Sequence, residues 1–286
     1  MGRYLVRRIA LAILVVVGVV VLTFVIARVV PGDPAVSWAG PHASREQIAN
    51  VRHELGLDRS LPVQIVSYFG GVVRGDWGTS IHTHQPVLSD IMDRAPASIE
   101  LVVTAMVFAL TLAIPLGLVS ARWSGRAPDG VIRIGAVLSV SMPAFWLALI
   151  LQLVFFQRLH LLPVAGQYDP NLDYTHPLTQ YTHMPVIDSL ITGNWVVLRS
   201  ALAHLVLPAI TLGLAPLAFL VRLLRANLLD ISRENFIVVV RSKGLGRWPA
   251  YARHALPNAF LPTLTASGLL LAQLLTGSVL VEKVFN

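Results

Sequence analysis

The sequence contains no cysteine, so disulfides and thiolate metal sites are excluded, and nothing about redox compartment follows from it. Charged residues are scarce as well, at 13% of 286, against roughly a quarter in ordinary soluble domains. With 55% hydrophobic residues, that scarcity excludes an ordinary aqueous globular fold and makes membrane protein the first class to consider. Lysine is nearly absent. A phosphate-cradling P-loop needs Gly-Lys followed by Ser or Thr, because the lysine meets the phosphates and the hydroxyl binds magnesium. The two lysines, Lys243 and Lys283, are followed by Gly244 and Val284, so the chain has no ATP cradle of that kind. Missing too, from the middle of every long apolar run, is the Asp, Glu, Lys or Arg that an ion-coupled carrier displays as its relay. Glu100 and Glu282 stand near run ends instead.

What is present in abundance is long apolar runs. Residues 9–26 form a run of about 18 residues, enough to cross a hydrocarbon layer of about 30 Å at 1.5 Å per residue. Arg3, Arg7 and Arg8 precede it, as they would a signal peptide, but Arg28-Val29-Val30-Pro31 offers no small-x-small cleavage site, so the run reads as an uncleaved anchor. Further runs cover about 98–120, 132–156, 201–221 and 260–281, giving five expected spans. Prolines punctuate them at Pro115, Pro143, Pro208, Pro216 and Pro262, which is common in membrane helices.

The formal net charge is +7, and its distribution orients the chain. Arg122, Arg126 and Arg133 lie in one short loop; Arg222, Arg225, Arg233, Arg241, Lys243, Arg247 and Arg253 lie in another. Basic residues in short loops mark the cytoplasmic side, which places the N-terminus there as well. These arginines lack the interleaved aromatics of a nucleic-acid surface, so no nucleic-acid partner is expected. The segments 31–96 and 159–200 then lie outside. In the first, Ser44 followed by Gln47 makes a capping box, Ile48, Val51 and Leu55 share a face, and Gly56 stops the helix. In the second, one short helix is expected at about 188–198. The nine histidines include His82, His84, His160, His176 and His183, all in loops without cysteine or paired acids at ligand spacing, so they read as solvated rather than metal-binding. The whole, residues 1–286, reads as one all-α transmembrane domain.

The loop 222–258 carries the most information. Phe236 and Val240 fall on one helical face, Gly244 suits the left-handed residue that ends a helix, and Pro249 suits the first turn of the next. In the order Val238-Val239-Val240, Gly244 and His254-Ala255-Leu256-Pro257, the loop resembles the cytoplasmic motif of binding-protein-dependent ABC importer permeases. That family's first element is Glu-Ala-Ala, absent here; the spacing from glycine to Leu-Pro matches. Similar to the peptide-type branch, in the first of its two paired permeases, are Val30-Pro31-Gly32-Asp33-Pro34, Leu55-Gly56-Leu57-Asp58-Arg59 and Gly75-Asp76-Trp77-Gly78-Thr79-Ser80. So are Ser141-Met142-Pro143-Ala144-Phe145-Trp146, Leu162-Pro163-Val164-Ala165-Gly166 and His204-Leu205-Val206-Leu207-Pro208-Ala209.

The resemblance implies a polytopic helical bundle of the type I importer permease kind, with a sixth span expected after residue 286, in a bacterial inner membrane. It implies import of dipeptides or short oligopeptides; nickel, glutathione and oligosaccharides are alternatives within the branch. The implied partners are a second related permease, two ATPase subunits carrying ATP and magnesium, an extracytoplasmic substrate-binding protein and the lipid bilayer. This chain would bind no cofactor. Contact with an ATPase would fall to Phe236, Val240, Lys243, Gly244, Leu245, Leu256 and Pro257. No catalytic residue is expected, and no residue is assigned to the substrate path.

Overall fold

The computed structural model describes residues 2–29, 33–40, 42–81 and 83–285. Val30-Pro31-Gly32 of the first motif, and His82, lie outside the described residues. The described elements are helical, and they fall into two compact units, Met1–Asp93 and Arg94–Asn286.

In the first unit, α1 (Gly2–Val29) contains the expected anchor; its apolar stretch has a mean hydropathy of 3.3 and buries no side chain within the chain. A helix apolar all round and unburied in water would be unstable, so lipid or other subunits must cover it. Asp33 caps α2 (Pro34–Ala39) by accepting the Ala35 N–H at 3.0 Å, and its other oxygen pairs with Arg52 of α3 (Arg45–Glu54). The Ala35 N–H, with Arg52, holds the Asp33 carboxyl below its ordinary range. The capping box at α3 forms as the residues indicate: Gln47 N–H donates to Ser44 Oγ at 3.2 Å and Ser44 N–H to Gln47 Oε1 at 2.8 Å. Gly56 follows with φ +63°, and α4 (Leu61–Val73) is a further helix of this unit. Phe24 and Tyr68 rings stand 6.0 Å apart, and His84 meets Trp38 edge-on at 4.7 Å.

The second unit is built round two long helices, α5 (Val87–Arg122) and α10 (Trp195–Ile231), which contain the spans expected over 98–120 and 201–221 and run well past them. Small residues at every fourth position of α5, Ala105, Ala109, Ala113, Gly117 and Ala121, are all buried. Lipid tails are as apolar as leucine, so helices associate in a membrane by close packing, for which small side chains are the means. Here a Cβ on Gly213 of α10 would sit 2.8 Å from the Ala105 carbonyl oxygen, and a Cβ on Gly117 would sit 2.9 Å from Leu224 Cδ2. Leu207, Leu212, Leu217, Leu220 and Val221 of α10 complete this core with Leu101, Val102 and Met106 of α5. Leu274, Val281 and Phe285 join it from α13 (Leu256–Phe285), which contains the expected span 260–281.

Two expectations need correction. The continuous span over 132–156 is instead two pieces, α6 (Ala127–Ser141) and α7 (Ala144–Leu151, continued by a wider π turn, Gln152–Arg158), bent by 104°. Met142 before Pro143 is extended (φ −94°, ψ 129°), because the proline ring excludes the α region for its predecessor. Pro115, Pro208, Pro216 and Pro262 lie inside unbroken helices. The helix expected over 188–198 is divided by Gly193 (φ +68°) into α9 (Pro185–Thr192) and the start of α10, which Asn194 caps through the Val197 N–H at 3.2 Å.

Loop segments are tied to the bundle by hydrogen bonds. Glu100 of α5 accepts the Val186 N–H at 2.9 Å, satisfying a first-turn donor of α9. Gly166 N–H donates to Phe285 O and Gln152 Nε2 to Val284 O, both at 3.0 Å. The α8 turn (Leu172–Thr175) is held by Tyr168 Oη, which donates to Asp173 at 2.6 Å. Burial, with the Asp173 carboxylate beside it, pushes the Tyr168 phenol up to about 12.

Candidate functional site

The loop after α10 is a helix, a glycine turn and a second helical start. Ser232 caps α10, and α11 (Asn235–Ser242) follows, with Arg241 in its last turn, where its charge suits the negative end of the helix dipole. Lys243 closes the helix, and Gly244 turns left-handed at φ +87° while its N–H donates to Arg241 O at 3.0 Å. A short α12 (Arg247–Pro249) and a π turn (Ala250–Ala255) lead into α13.

What holds α11 in place is Ile237, a residue the sequence reading passed over. It is 1% exposed and packs among Leu224 and Leu228 of α10, Leu118 and Ala121 of α5, Ala255 of the π turn and Ala259 of α13. Burying it leaves Phe236, Val238 and Val239 exposed, 42%, 58% and 52% respectively. Three large apolar side chains on one exposed, basic eight-residue helix form a surface suited to another protein. Of the other residues singled out, Val240 and Leu245 are half-buried, Lys243 and Gly244 exposed. Leu245 and Gly244 line an open concavity with Val238, Arg241, Ser242 and Gly246. Leu256 packs against the Ile237 cluster, whereas Pro257 is exposed in the first turn of α13.

A second constellation lies beside this cluster. Asp129, in the first turn of α6, is 1% exposed and receives four hydrogen bonds. Arg225 Nε and Ser120 Oγ donate to Oδ1 at 2.7 and 2.6 Å; Arg225 Nη2 and the Gly125 N–H donate to Oδ2 at 2.8 and 2.9 Å. Arg225 Nη2 also donates to Ser124 Oγ at 3.0 Å. The carboxylate is fully satisfied by a two-pronged guanidinium, the arrangement in which a buried charge is tolerated. In the sequence, Asp129 is the lone acid of an arginine-rich loop, the single hint of this pairing.

Metal chemistry has no equivalent centre: among the described residues no three His, Asp or Glu side chains come together as a ligand set. His84, His160 and His183 occur instead at positive φ in turns.

Among the described residues, four helices are long and apolar enough to cross a bilayer, and a bent pair of helices makes a fifth candidate, which is the pattern of a multi-pass membrane protein. The chain belongs to the binding-protein-dependent transport system inner membrane component family, whose sequence model matches residues 113–286; the N-terminal model of the same family matches residues 1–102. It is 42% identical over 273 residues to the probable D,D-dipeptide transport system permease protein DdpB of Escherichia coli K12, covering 96% of this chain and 79% of that one. It is 37% identical over 286 residues to the dipeptide transport system permease protein DppB of Alkalihalophilus pseudofirmus, covering 100% and 85%. The glutathione transport system permease protein GsiC of Salmonella choleraesuis is 34% identical over 286 residues, covering 100% and 83%.

Proposed function

We propose that this chain is one of two paired permease subunits of an ATP-driven bacterial importer, and that it forms half of the path for dipeptides or short oligopeptides. The observation that carries the substrate reading is similarity along nearly the whole chain to permeases named for dipeptide transport. A second, related permease, two ATPase subunits holding ATP and magnesium, and an extracytoplasmic binding protein complete the assembly. The N-terminus is cytoplasmic, as the arginines of 122–133 and 222–253 favour.

In this assembly the exposed face of α11, from Phe236 to Leu245, seats on one ATPase. Closure of the ATPase pair on ATP moves α11, and the permease pair rocks between inward- and outward-facing states. The binding protein docks on the outer segments and releases its cargo into the opened path. This chain supplies the conduit and the lever; the partners supply the nucleotide chemistry and most of the selectivity.

The substrate reading is tested on the binding protein encoded beside this chain, by calorimetry with a dipeptide, a tetrapeptide, glutathione and nickel ion. Tight binding of a free peptide amino terminus supports it. Preference for glutathione would move the substrate to the class of the third relative, and binding of nickel alone would overturn the peptide reading.

A further inference from the structure

Resting on the importer reading above, we infer that Asp129 and Arg225 are positioning residues, a clamp that makes α11 and the foot of α6 move as one body when the ATPase pushes. The sequence separates the two residues by a long stretch of chain, yet the ion pair joins the α5–α6 turn to the cytoplasm-proximal end of α10. Within one turn of Arg225, α10 presents Leu224 and Leu228 to Ile237 of α11 and to Leu118 and Ala121 of α5. Asn227, on another side of α10, donates to Ala259 O of α13 at 3.3 Å. Thus Ile237 delivers motion of α11 to α10, and the Arg225–Asp129 pair carries it across to α6.

The mechanical consequence follows from where α6 goes. Its 15 residues run about 22 Å from the clamp to the bend at Met142 and Pro143. A push on α11 transmitted to the foot of α6 therefore reaches the one sharply broken element among the described helices of the bundle. Without the clamp the apolar cluster still seats α11, but α6 is free to lag, because leucine contacts slide where a two-pronged, fully satisfied ion pair does not. The four donors around Asp129 explain why the clamp is stiff: any rotation of α6 breaks at least one hydrogen bond and strands part of a buried charge.

The cysteine-free sequence allows a direct test. Spin labels are placed at Val131→Cys, exposed two residues beyond Asp129, and at Asn235→Cys, exposed at the start of α11. Their distance is read by pulsed electron resonance in the assembled importer, its partners made cysteine-free, with and without ATP and vanadate, and also in the chain alone in lipid nanodiscs. The expected result is one narrow distance, the same in both nucleotide states. Asp129→Asn is expected to broaden it in nanodiscs, to shift it with ATP, and to lower transport per ATP hydrolysed; Arg225→Lys, which keeps the charge and loses the fork, is expected to fall between. A wild-type distance that is broad in nanodiscs or shifts with nucleotide overturns the clamp, as does a folded Asp129→Asn chain as narrow as wild type. The nanodisc arm stands whether or not the complex hydrolyses ATP, so loss of the importer reading and loss of the clamp are told apart.

Discussion

Ile237 and its neighbour Phe236 differ by one position on a helix and by their whole environment, buried against exposed. Removing a buried isoleucine side chain costs about 2–5 kcal/mol through lost transfer energy and the cavity left behind. Ile237→Ala should therefore lower the melting temperature and make the loop 232–249 an early target of limited proteolysis. Phe236→Ala should leave both unchanged while weakening assembly with the ATPase in a pull-down; the reverse pattern would assign the wrong residue to each role. Tyr168 offers a pH test. Its phenol is shifted from 10 to about 12, so the neutral form is favoured in the fold. The stabilisation is complete below pH 10 and disappears as pH rises through 10 to 12. Ultraviolet titration should show a step near pH 12 that Tyr168→Phe removes. A titration that Tyr168→Phe leaves unchanged near pH 12 would contradict the Tyr168–Asp173 geometry.

At the scale of elements, the α5–α10 seam rests on backbone proximity. Gly213→Ala puts a Cβ 2.8 Å from both the Ala105 carbonyl oxygen and Phe108 Cδ1, and a backbone oxygen yields only if the helices part. Overpacking of this kind costs about 1–3 kcal/mol. Gly268→Ala, with open space round it on α13, should be neutral or gain up to about 1 kcal/mol of helix propensity. Thermal unfolding in detergent compares the two; equal effects would remove the seam from the account. The four long apolar helices among the described residues were legible because a run of about 18 apolar residues has few other uses. Their true ends were not, since α5 and α10 continue as amphipathic helix where hydropathy stops signalling a span. The break at Pro143 was illegible among five similar prolines, since Pro115, Pro208, Pro216 and Pro262 lie inside unbroken helices. Gly193 was read through because neighbours on either side are helical. In the site, Gly244 announced itself by residue type and spacing, whereas Ile237 sits in a run of apolar residues with no periodic mark. Of the Asp129–Arg225 pair the local sequence shows only a lone acid among arginines, because its members meet only when three elements pack.

For the whole molecule, the proposed orientation rests on arginines in short loops, and the absence of cysteine makes it simple to check. Single cysteines at Asn50 and Tyr181 should react with a membrane-impermeant maleimide applied to intact cells. Cysteines at Trp123 and Asn235 should react only after the membrane is opened. The opposite pattern would invert the topology and take α11 away from any cytoplasmic ATPase. The central claim, that ATP-driven motion enters through the loop round Gly244, is tested most directly by Gly244→Val in the reconstituted importer. The left-handed backbone at φ +87° penalises a β-branched residue by about 1–2 kcal/mol, enough to disturb the turn that ends α11 while Ile237 stays buried. Labelled dipeptide uptake and ATP hydrolysis are measured together in proteoliposomes. The account predicts a subunit still assembled in the membrane, with continuing hydrolysis and uptake per ATP greatly reduced; uptake per ATP equal to wild type would contradict it.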